Sequence, residues 1–324
     1  MPLLLTRSQL APLAEDDGAL DDALDAVEAA LLRSHQEDPG ESIFAGLNLA
    51  NGDEFAVNVG ALAHGPASVR LFPKDFRGAR TNAWVGVQID GSRGEIDSLV
   101  ALDDLNVLRT AVPAALGARH LAAPGATTLA ILGSGLQARS QARTFARVLP
   151  NLTDLRVWSP TREHREAFGA EIAERTGLSV TCCSSAEDAV AGADVVTAAG
   201  RLAGGVPAVD PASVPAGALV VSLTASGIGL LRLGARLVVP TAKAPELVAH
   251  GFSSGFLREK PPPAPPPALQ LADVVAGAVP ARTGPDQTLV YELAGAYLWD
   301  LPILEWITGW AAAHGVGTTI DLSS

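Results

Sequence analysis

The feature that most constrains this chain is a strand-to-helix turn near its middle. The apolar run TTLAIL (127–132) ends in Gly133-Ser134-Gly135-Leu136-Gln137-Ala138, and a helical pattern, GLQARSQARTFARVL, follows at once. Gly133 permits a tight turn, Gly135 lets the backbone approach a pyrophosphate, and Ala138 allows close packing of helix on strand. The free N–H groups and positive end of the helix suit phosphate. The bland alternative is a Gly-rich structural turn.

What surrounds the turn supports the first reading. After Pro124-Gly125 the rhythm is strand, helix, strand: LRVWS, REHREAFGAEIAERTG, LSVTCC, the short helix AEDAVAGA, then DVVTAAG, ALVVSL and RLVVP. Short apolar strands alternating with helices predict a doubly wound parallel sheet, a Rossmann fold. Before it, Asp21–Ser34 is amphipathic at helical spacing. Residues Ser42–Leu102 then read as an antiparallel sheet with turns such as Asp90-Gly91. Asp103 and Asp104 offer an N-cap to a helix that contains Pro113. Two helices, roughly Asp286–Trp299 and Pro302–His314, are predicted to close the chain ahead of GVGTTIDL. Lys260–Pro267 (KPPPAPPP) reads as a stiff polyproline-like loop, with an SH3-type ligand as the lesser alternative.

The end of the second parallel strand bears on cofactor choice. An acid there would accept the ribose 2′-hydroxyl of NAD. The sequence is Val157-Trp158-Ser159-Pro160-Thr161-Arg162, with no acid. Ser159, Thr161 and Arg162 are therefore expected to hold a 2′-phosphate, which favours NADP over the alternative, NAD. The competing reading makes Arg162 and Arg165 ordinary exposed helix residues.

Charge and composition exclude other classes. The 324 residues carry 23 Lys and Arg against 35 Asp and Glu, a net charge of −12. Twelve of the acids and two of the bases fall in residues 1–60, most simply a solvated face. No clustered basic charge invites nucleic acid. No apolar run approaches the ~20 residues of a membrane helix. The segment MPLLLTRSQLAPLAEDD makes a poor signal peptide, so the expectation is a cytoplasmic protein without membrane or nucleic-acid partners. The two cysteines, Cys182 and Cys183, are adjacent and give neither a disulfide framework nor a zinc site. No metal is expected.

With these motifs in hand, a resemblance becomes visible. VLRTAVPAALGARHLA, then GSGLQA, VWSPTREHREAFGAEI, SAEDAVAGADVVTAA, ADVVAGAVPARTGPDQTLVYELAGAYLWDL and GVGTTIDL resemble the ornithine cyclodeaminase/mu-crystallin family over about residues 68–324. The resemblance implies a homodimer with two domains. Residues 1–118 with 300–324 form an α+β substrate and dimerisation domain, and 119–299 form the Rossmann domain. It implies that Arg109 binds a substrate carboxylate, by a guanidinium fork, and that Thr110 lies near the cofactor phosphates.

Three departures follow. Arg70 stands where the family has a Lys; Arg keeps the positive charge, so Arg70 is expected to join Arg109 in binding the substrate carboxylate, but it cannot act as a base at neutral pH. A second substrate Arg is missing from IFAGLNLANGDEFAVNVG. The interval SLTASGIGLLRLGAR contains no acid where the family carries its catalytic Asp. The catalytic group is thus unknown, with Tyr291, Glu292 or Asp300, placed on a closing helix, as weak candidates. His64, His120 and the cysteines rank lower. The expected function is an NAD(P)H-dependent oxidoreductase acting on a small imine or amino/keto acid, not ornithine. The alternative is a catalytically weakened dinucleotide-binding homologue with a binding or regulatory role.

Overall fold

A computed structural model describes residues 1–37, 40–48, 54–61, 65–75, 84–199, 209–223, 234–241, 267–293 and 296–322. His64 and the Pro-rich stretch 260–266 lie outside these, and the interval Ser222–Arg236 is described only at its ends. In chain order the first elements are β1 (Leu3–Leu5), α1 (Arg7–Glu15), α2 (Asp17–Gln36), β2 (Glu41–Asn48), β3 (Glu54–Ala61), β4 (Ala67–Asp75), β5 (Val85–Asp90), β6 (Glu95–Ala101) and α3 (Asn106–Leu121). Then come β7 (Thr128–Leu132), α4 (Leu136–Val148), β8 (Asp154–Trp158), α5 (Arg162–Thr176), β9 (Ser179–Cys182), α6 (Ala186–Val190), β10 (Val195–Ala198) and β11 (Leu219–Ser222). The last are β12 (Arg236–Val239), β13 (Leu269–Gln270), α7 (Leu271–Val275), β14 (Leu289–Glu292), α8 (Ala296–Ala313) and β15 (Thr318–Thr319). The chain divides into two compact units, Met1–Arg109 with Gly295–Ser324, and Thr110–Ala294.

The first unit is built on a sheet of order β15-β1-β6-β5-β4-β3-β2. Strands β2 to β6 form the antiparallel meander that the sequence predicts. β1 pairs parallel with β6 and antiparallel with β15, a closure the sequence reading missed because both strands are so short. Alternation sends Ala56 and Asn58 of β3, Ser68, Arg70 and Phe72 of β4, and Ser98 and Val100 of β6 into the interior. The apolar helix α8 packs on β3, β4 and β5 and against α2. It runs unbroken through Pro302, where the sequence reading had ended one helix and begun another.

The second unit holds an all-parallel sheet of order β13-β12-β14-β11-β10-β7-β8-β9. The six predicted strands are present, and one expectation fails. Tyr291 and Glu292 lie on a strand, β14, and not on a helix. Every residue of LVYE is buried, because β14 is inserted between β11 and β12. A strand covered on both faces loses the alternation that distinguishes it from a buried helix. The loop before β14 is pinned by Arg282, which donates to the carbonyls of Leu121, Gly217 and Gln287 at 3.0, 2.7 and 2.5 Å. Among the described residues no helix is long and apolar enough to cross a membrane. No His/Cys/Asp/Glu group there could hold a metal.

Candidate functional site

In the second unit the strand-to-helix turn has the form the sequence predicts. Gly133 takes φ 131°, a left-handed value that favours glycine, and its N–H donates to Trp158 O at 2.7 Å. Gly135 is the N-cap of α4, and the first helical bond runs from Arg139 N to Gly135 O. The N–H groups of Leu136, Gln137 and Ala138 therefore belong to the first turn, where helices leave donors unused by the helix itself. A Cβ added to Gly135 would meet nothing within 4 Å, so the backbone is open on that side, as a pyrophosphate requires. Ala138 is fully buried against the sheet. Thr110 lies at the start of the same unit, beside Ala111, whose carbonyl accepts from Thr144 Oγ1 of α4 at 3.4 Å. These features fit a dinucleotide.

At the carboxyl end of β8, Ser159 is buried, and its Oγ accepts from Ser134 Oγ at 3.0 Å and donates to Thr161 O at 3.3 Å. Thr161 is the N-cap of α5. Arg162 is turned outward. Its side chain is 74% exposed, and its Nε pairs with Glu166 at 2.6 Å, one helical turn on. Arg165, which the sequence reading left among ordinary helix residues, folds back so that Nη1 donates to Ser159 O at 2.8 Å. A signal for it existed: Arg165 leads the stripe Arg165, Phe168, Gly169, Ile172, the last three buried.

Ser222 and Glu292 sit in register at the carboxyl ends of β11 and β14, the edge where such sheets bind ligands. Tyr291 faces elsewhere. It is fully buried, its hydroxyl has no hydrogen-bond partner among the described residues, and its ring lies where a Cβ on Gly117 of α3 would be, 2.2 Å from Cε1. Burial, aided by Glu292, pushes its pKa up. A hydroxyl enclosed in this way is poorly placed to hand a proton to a substrate.

In the first unit, Arg70 and Arg109 converge on Asp300 of α8. Arg70 Nε donates to Asp300 Oδ2 at 2.9 Å, Arg109 Nε donates to Oδ1, and Asn58 Nδ2 donates to Oδ2 at 2.8 Å. The carboxylate is 2% exposed. Burial favours its neutral form, but Arg109, Arg70 and Asn58 outweigh that and hold it below the usual carboxylate range. Burial and the like charge of Arg109 bring Arg70 down to about 10, so it stays a cation at neutral pH. The sequence reading grouped Asp300 with proton donors. The geometry makes it an ionised anchor for the two arginines that the resemblance assigns to substrate.

The sequence profile of the ornithine cyclodeaminase/mu-crystallin family matches residues 72–313. The chain belongs to that family. Within the ornithine cyclodeaminase/mu-crystallin family, it is 30% identical to the L-lysine cyclodeaminase of Streptomyces rapamycinicus over 79% of this chain and 74% of that protein. It is 38% identical to the ketimine reductase mu-crystallin of Rattus norvegicus over 31% of each chain. The fold matches the Thermococcus litoralis Δ1-pyrroline-2-carboxylate reductase solved with NADH and L-proline, at TM-score 0.79 and 18% identity over 98% of this chain and 100% of that one.

Proposed function

We propose that this protein is a nicotinamide-dependent oxidoreductase acting on a small imine or amino/keto acid, with NADP preferred and NAD the alternative. The observation that carries this reading is the open Gly133-Ser134-Gly135 turn at the head of α4, in a chain of this family. Lysine, a ketimine and a cyclic imino acid, named for the relatives, support the substrate class. The relative bound to NADH keeps NAD open as the alternative.

The bound cofactor would supply the hydride, and the chain supplies binding and orientation. The Gly135–Ala138 backbone and Thr110 hold the phosphates, with Ser134 and Ser159 at the ribose end. Arg109 takes the substrate carboxylate. Arg70, more deeply buried, serves mainly to hold Asp300. Glu292 is the side chain we assign to proton handling. The Thr110–Ala294 unit binds the dinucleotide, and the other unit contributes substrate contacts and the homodimer interface. Edge strand β2 supports the dimer, since Ile43 and Leu47 on one of its faces are 66% and 70% exposed. A cytoplasmic location belongs to the same reading.

A second reading, a weakened homologue that binds the dinucleotide without efficient turnover, is favoured by one observation. Asp300 already gives both arginines a carboxylate. Calorimetry with NADPH and NADH, followed by a screen of cyclic imino acids and of 2-oxo acids with amines, separates the two. Binding with consumption of NADPH is expected. Binding without consumption favours the second reading, and absence of binding overturns both. Gly135→Arg should abolish binding. Ornithine should not be converted efficiently, because no acid occupies Ser222–Arg236 and Arg70 cannot act as a base.

A further inference from the structure

We propose that Arg165, and not Arg162, is the residue that selects NADP(H) by binding its 2′-phosphate. This rests on the dinucleotide reading above and names the group that decides between its two cofactors. Three arginines lie in the first turns of the helices that follow the glycine turn and β8. Arg139 pairs with Glu171 at 2.6 Å and donates to Ser134 O. Arg162 pairs with Glu166. Arg165 has no carboxylate within ion-pair distance among the described residues, and its side chain's one hydrogen bond there goes to the carbonyl of Ser159. Arg156 and Arg282 are half-buried too and also donate to carbonyls, but Arg282 spends its donors on three of them and Arg156 bonds Ala191 O, away from the end of β8.

Position sets Arg165 apart. Ser159 is the first residue after β8, where an NAD-binding chain offers a carboxylate to the ribose. Here Ser159 and Thr161 offer hydroxyls, and Ser159 Oγ is already engaged with Ser134 and Thr161. The segment Ser159–Arg162 offers no carboxylate to a 2′-hydroxyl. The bond to Ser159 O fixes the Arg165 guanidinium at this spot while using one of its five N–H donors. Its Nε is closed off from solvent and meets no acceptor among the described residues. A phosphate dianion matches such a fork in charge and geometry. The N-terminus of α5, capped by Thr161 without a side-chain bond, adds a positive potential beside it.

The experiment measures dissociation constants of the full chain for NADPH, NADH, adenosine 2′,5′-bisphosphate and AMP by calorimetry. Arg165→Ala, Arg165→Lys and Arg162→Ala are compared with the unaltered protein. Arg165→Ala should weaken NADPH and the bisphosphate by roughly tenfold to a hundredfold, the worth of hydrogen bonds to a charged group. NADH and AMP should bind as before, which also shows that the variant is folded. Arg165→Lys should fall between, and Arg162→Ala should change nothing. NADPH affinity unaffected by Arg165→Ala, or lost instead in Arg162→Ala, would overturn the assignment. Equal loss of NADPH and NADH in both Arg165 variants would overturn it as well. If the unaltered protein prefers NADH, both the assignment and the NADP preference fall. If it binds neither dinucleotide, the dinucleotide reading itself falls.

Discussion

Two groups of arginines in this molecule are treated in opposite ways. In the first unit, Arg70 and Arg109 share one buried carboxylate, Asp300, which Asn58 also contacts. In the second, Arg165 rests on a backbone carbonyl with no acid among the described residues. Burying two guanidiniums without a counterion would cost several kcal/mol each, so the interior that holds Arg70 must supply its own anion. A cation that solvent still reaches has no such need. On the proposal above, the difference separates charge balanced within the fold from charge left for a ligand.

Removing the internal anion should have the largest effect. Asp300→Ala leaves two arginines facing each other in a low-dielectric interior and should cost about 3–5 kcal/mol in urea unfolding. A loss below ~1 kcal/mol would mean that solvent already screens the pair and would erase the contrast. Acid probes the same bond without mutation. The Asp300 carboxyl is held below its ordinary value in the folded chain, so its contribution is complete above about pH 4 and is lost as pH falls through the lower folded value. Comparing the urea midpoint of the unaltered protein and Asp300→Asn across that range should show a pH-dependent difference that shrinks toward the acid end. For Arg165→Ala a stability change within ~1 kcal/mol is expected, since one hydrogen bond is lost and one unsatisfied Nε removed. Arg162→Ala should be nearly silent, below ~0.5 kcal/mol, because exposed pairs one helical turn apart are worth that little. A large cost for either would show that these cations also hold the fold together.

Much of this was legible in the sequence, for physical reasons that differ by element. The turn at Gly133–Ala138 could be read because its residues are dictated by local backbone geometry and sit between two unambiguous patterns. β14 could not, since LVYE is buried on both faces and carries no period. β1 and β15 were missed because three- and two-residue strands exist through their partners alone. Asp300 left a signal that went unused. An acid in AYLWDLPILEWITGW, on a helix whose faces are nearly all apolar, must meet cations in the interior. Arg162 and Arg165 are three residues apart, and their hydrophobic neighbours, not their charge, decide which one turns inward.

The sheet closure in the first unit also sets an order of events during synthesis. Thr110–Ala294 is continuous, so a ribosome releases it whole and its parallel sheet can close early. The first unit cannot do the same. Its interior lacks α8, the counterion Asp300 and strand β15 until residues 296–319 have emerged. Until then the nascent meander presents two arginines without their anion and an apolar face without its helix. Residues 1–109 are thus made before the intervening unit and finished after it, and their sheet waits incomplete for the time needed to translate that unit.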